Sequence, residues 1–85
     1  MRRSIDDAFD DHPADDEERS PVSWAVALAD DCDACGYGEA RVVMTVEEVG
    51  HAGLGLIAHL APVTARRLRG AIAAALREIG EEPGP

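Results

Sequence analysis

Between Val22 and Leu60 the chain alternates apolar residues with small or polar ones at a period of two, in three separate runs. Successive side chains of a strand point to opposite faces, so each run reads as a half-buried β-strand. The first run sets Val22, Trp24, Val26 and Leu28 against Ser23, Ala25, Ala27 and Ala29. The second, over residues 40 to 49, sets Val42, Met44 and Val46 against Arg41, Val43, Thr45 and Glu47. The third sets Leu54, Leu56, Ala58 and Leu60 against Gly55, Ile57 and His59. The connections, 30 to 39 and 50 to 53, contain glycines and acids, the chemistry of hairpin turns.

The period changes to 3.6 at Pro62, a residue that the first helical turn accepts because its missing N–H has no intrahelical partner. Leu68, Ala71, Ile72, Ala75, Leu76 and Ile79 make one apolar stripe, and Arg66, Arg69 and Arg77 fall on the opposite side. Gly80 is the expected stop. The expected fold is therefore α+β: a three-stranded antiparallel meander followed by one C-terminal amphipathic helix, β-β-β-α, packed as a two-layer sandwich.

The 85 residues suffice for one modest core. Aromatic residues make up only 4%, which leaves Trp24 as the sole large anchor among Val, Leu, Ile and Ala. Residues 1–20 hold eight acids and three arginines and few bulky apolar groups, too little to repay the entropy of ordering. They are expected to form a flexible acidic arm, with Ser4 and Asp7 as a weak capping box for one helical turn carrying Ile5, Ala8 and Phe9. Residues 21–80 are then the single domain and 81–85 a frayed end.

The formal net charge of -9 repels phosphates and anionic lipid, so nucleic-acid and membrane partners are disfavoured. No window is apolar enough to span a bilayer, and Met1-Arg2-Arg3 runs into Asp6 and Asp7 instead of a hydrophobic signal core; a cytoplasmic location is expected. Two cysteines three positions apart close too small a loop to staple a domain.

Chemistry is most concentrated in Cys32-Asp33-Ala34-Cys35-Gly36, a spacing that supplies half of a zinc knuckle. In a meander whose second hairpin is centred on His51, the third strand carries His59 back toward the cysteines, opposite Val43. Cys32, Cys35 and His59 are the candidate zinc ligands, with Asp30, Asp33 or His12 as a fourth. A thiol-redox role is a further alternative, opposed by Asp30, Asp31 and Asp33, whose charges disfavour a thiolate. Asp31, Asp33 and Gly36 imitate the start of a calcium loop, but Val42 occupies the position that requires a bidentate glutamate. No nucleophile, base and orienter converge, so no enzymatic activity and no required cofactor are expected.

The remaining signals concern surfaces. Ala25, Ala27, Val43, Thr45 and Ile57 make the outer sheet face unusually apolar, which suggests a homodimer through that face. Arg66, Arg69 and Arg77 offer a basic patch to an acidic partner, and Ile5 and Phe9 are apolar anchors in the arm. The leading functional expectation is a small non-enzymatic protein-protein interaction or regulatory module.

Overall fold

The computed structural model describes residues 1–85. Four strands form one sheet in the order β1-β2-β3-β4, all neighbours antiparallel: β1 (Arg2–Phe9), β2 (Val22–Ala29), β3 (Arg41–Glu48) and β4 (Leu56–Leu60). Helix α1 (Pro62–Glu78) follows. The α+β class, the antiparallel meander and the single C-terminal helix are as the sequence implies. No helix is long and apolar enough to cross a membrane.

The first correction concerns the N-terminal segment, which supplies a fourth strand where a flexible arm with a helical turn is expected. Every residue of β1 is exposed, so burial does not order it. Its backbone ladder to β2 does, running from Arg2 opposite Ala29 to Phe9 opposite Ser23. Ile5 is the extra residue of a bulge between Ser4 and Asp6, which breaks the alternation that would reveal a strand. The loop to β2 is closed by reciprocal bonds: the Asp10 N–H donates to the Val22 carbonyl at 2.8 Å, and the Val22 N–H donates to Asp10 Oδ1 at 3.3 Å.

The β2–β3 register pairs Trp24 with Val46, Val26 with Met44 and Leu28 with Val42, and the β3–β4 register extends the row to Leu60 and Leu56. These residues form the apolar sheet face toward the helix. Gly55, just before β4, sits so close to β3 that a Cβ there would lie 2.5 Å from both Glu47 Cβ and the Val46 carbonyl oxygen, which is why only glycine fits.

Helix α1 starts with Pro62 at its first turn and has no side-chain N-cap. It ends in a Schellman motif: the Gly80 N–H donates to Arg77 O and the Glu81 N–H to Leu76 O, with Gly80 at φ 79°. The second layer of the expected sandwich is only begun. The helix contacts β3 and β4, leaves β1 and β2 without a cover, and contains no buried residue. Ala65, Leu68, Ala73 and Leu76 are its half-buried positions, so the contact arc is turned by roughly 60° from the apolar stripe at 100° per residue. Ala71, Ile72, Ala75 and Ile79 are left exposed.

Only Ala29 and Val43 are buried, at 3% and 4% exposure, and both lie on the outer sheet face. They sit beside each other's ladder partners at the end of the sheet where the cysteine loop turns.

Candidate metal centre

The loop that joins β2 to β3 is built by its glycines. Gly36 has φ 112° and Gly38 φ 85°, left-handed values that a residue with a Cβ rarely adopts. The turn they permit lets the Gly36 N–H donate to the carbonyls of Cys32 and Asp33, both at 3.2 Å, and the Gly38 N–H to Asp30 O at 3.0 Å. The loop is thereby folded back over the outer face. Arg41 fixes it there, donating from Nη2 to the Cys35 carbonyl at 3.4 Å and lying 4.0 Å from Glu39.

His59 comes from the other side. Val43 on β3 pairs with His59 on β4, so the imidazole stands on the same face as Arg41, beneath the cysteine loop. Cys35 Sγ and His59 Nδ1 are 3.3 Å apart, and the ligand atoms of Cys32, Cys35 and His59 all lie within 4.8 Å of one another. A tetrahedral zinc ion with ordinary bond lengths separates two sulfurs by about 3.8 Å and a sulfur from a nitrogen by about 3.6 Å. The three donors are thus at near-coordinating spacing. Both cysteines are free thiols, half-buried, and His59 is exposed.

The two thiols differ in acidity. The Cys35 backbone N–H, then the Cys35 side chain, and further the Ala34 N–H hold Cys32 below the ordinary thiol value despite the charge of Asp33. Cys35 is raised, first by its hydrogen bond with Cys32 and then by desolvation, while Arg41 pulls in the opposite direction. The acids around the loop therefore do not decide the matter for Cys32. Backbone dipoles aimed at its sulfur do, and these are invisible in composition.

Of the fourth-ligand candidates, none joins the cluster. The Asp30 carboxylate is bound by the Met1 ammonium at 2.5 Å, which lowers its pKa. His12 is hydrogen-bonded to Asp16 Oδ2 at 2.7 Å within the β1–β2 loop, a contact that holds Asp16 below the usual carboxylate range. Asp33 is exposed and lies outside the set of converging donors. His51 is at the far hairpin, 4.0 Å from Glu48. The converging protein donors number three, one fewer than a closed tetrahedral zinc site takes.

The surface residues are distributed differently from expectation. On the outer face Val43 is buried, Ala25, Ala27 and Thr45 are half-buried, and Ile57 is 64% exposed. Ile5 and Phe9 project from β1 into solvent. Arg66, Arg69 and Arg77 are not on a face remote from the sheet: they line the mouth of a cleft between α1 and the sheet. Arg41 and the Ala34 N–H are the site groups that periodicity does not reveal; Gly36, directly after Cys35, is the one readable signal of the turn that aims them. No protein-family model, curated protein or solved structure matches the chain.

Proposed function

We propose that this chain is a small non-enzymatic interaction module whose cysteine loop is clamped to the sheet by a zinc ion bound through Cys32, Cys35 and His59. The observation that carries this reading is the convergence of two thiols and an imidazole, from segments 24 residues apart, within 4.8 Å. Soft thiolates with one imidazole suit zinc, and Cys32 is already biased toward the thiolate a metal requires. A small domain with two buried residues also has an energetic use for a metal, since its core alone supplies little stability.

The test is metal analysis of protein purified under reducing conditions without added zinc, coupled to thermal unfolding with and without a chelator. The expected result is close to one zinc per chain and a melting temperature that falls on chelation and recovers when zinc returns. Protein that holds no metal and melts identically in zinc and in chelator contradicts the reading.

A thiol-redox reading is favoured by one specific observation, the lowered pKa of Cys32 beside the raised pKa of Cys35. A Cys35→Ser chain that still catalyses dithiol–disulfide exchange at the native rate would end it.

A further inference from the structure

The chain exposes 6709 Å², whereas a compact chain of 9.0 kDa exposes about 4,900 Å², an excess of about 1,800 Å². Each partner of an obligate dimer buries about 1,000 to 2,500 Å². The excess has a location. Between α1 and the sheet lies a cleft of about 680 Å³ with Val26, Val42, Met44 and Leu60 lining it on the sheet and Leu68 and Leu76 on the helix. Beyond it, β1 and β2 have no helix above them, and on α1 itself Ile72 and Ile79 are 55% and 72% exposed.

We infer that a second copy of this chain docks on the helix side of the sheet, each copy laying the exposed stripe of its α1 over the uncovered β1–β2 half of the other. Two features select a second copy as the occupant. The chain carries both halves of the contact, the apolar β2 row of Trp24, Val26 and Leu28, bordered on β1 by Ala8, Asp6 and Arg3, and a helix stripe lacking a sheet, which is the self-complementarity a two-fold interface requires. Charge agrees with the same pairing. The helix has four arginines and one acid, none of the four forming an ion pair within the chain, while residues 1–20 hold eight acids and three arginines. Of these arginines Arg67 borders the exposed stripe at 100° per residue, and crossing the helix of one copy over β1 of the other brings it toward Asp6, which shares the helix-side face with Val26. The interface lies on the face opposite to the one that carries the cysteine loop, and it does not depend on a bound metal.

Size-exclusion chromatography with light scattering on the full, zinc-replete chain tests the proposal, using wild type, Ile72→Glu and Ile57→Glu, with circular dichroism as the folding control. The expected masses are twice 9.0 kDa for wild type and Ile57→Glu and a single chain for Ile72→Glu. Wild-type protein that is monomeric at micromolar concentration overturns the proposal, as does a dimer that Ile57→Glu dissociates and Ile72→Glu leaves intact. If Ile72→Glu fails to fold, isotope-filtered NOEs in a mixed labelled and unlabelled sample decide. Contacts from Ile72 or Ile79 to Trp24 of the partner subunit support the arrangement, and intermolecular contacts confined to Ile57 refute it.

Discussion

At the scale of single residues, the loop Cys32-Asp33-Ala34-Cys35-Gly36 shows how backbone geometry outweighs local charge. Three acidic side chains stand within a few positions of Cys32, yet its thiol is held low because N–H groups point at the sulfur. Gly36 is what permits that geometry, through its φ of 112°. A group whose folded pKa is depressed gains its charge earlier as pH rises, so the thiolate of metal-free protein resides on Cys32 below the ordinary thiol pKa. Alkylation of chelated, reduced protein near neutral pH, followed by peptide mapping, should therefore label Cys32 ahead of Cys35. Equal labelling would show that the amide donors do not govern the pair. His59 joins these residues through register alone: a hairpin centred on His51 places residue 59 opposite residue 43, whatever the side chains are.

At the scale of elements, legibility in the sequence follows burial. Strands β2, β3 and β4 announce themselves because one of their faces is apolar, and the helix because its stripe has the right period. Strand β1 does not, since all its side chains are exposed and the bulge at Ile5 interrupts its alternation. Its order comes from main-chain hydrogen bonds, which every sequence can make. Its charges suit its place at the sheet edge, where Arg2, Arg3, Asp6 and Asp7 discourage further pairing. The incomplete helix layer was equally hidden: the sequence specifies a stripe, not the angle at which it meets the sheet. The convergence of Cys32, Cys35 and His59 is legible because hairpin centres fix register, whereas the contacts that occupy Asp30 and His12 involve Met1 and Asp16, which no spacing encodes. Gly55 gives a direct check on the β3–β4 approach. With a Cβ placed 2.5 Å from the Val46 carbonyl oxygen, backbone must move, and Gly55→Ala should cost about 1 to 3 kcal/mol in chemical unfolding. An unchanged midpoint would mean that the two segments do not approach so closely.

At the scale of the whole molecule, the architecture is a four-stranded sheet with one helix over the β3–β4 half of one face, extending 42 × 33 × 17 Å. Ala29 and Val43 are the two fully buried residues, in the corner that the cysteine loop overlies, while Trp24, Val26, Leu28, Val42 and Met44 are half-buried. On the proposed reading the two faces have two different sources of further stability: a metal tying loop to strand on one side, and a second copy on the other. The net charge of -9 does not oppose the second source locally, because the helix is the one basic element of the chain. The metal centre is the claim on which the functional reading turns, and cobalt(II) probes its ligands directly. Titrated into reduced, metal-free protein, cobalt should give intense tetrahedral d–d bands and thiolate charge-transfer absorption saturating at one equivalent. His59→Ala should keep the charge-transfer absorption and weaken binding, while Cys32→Ser and Cys35→Ser should each remove part of it. A spectrum that stays that of the octahedral aqua ion throughout the titration would contradict the account.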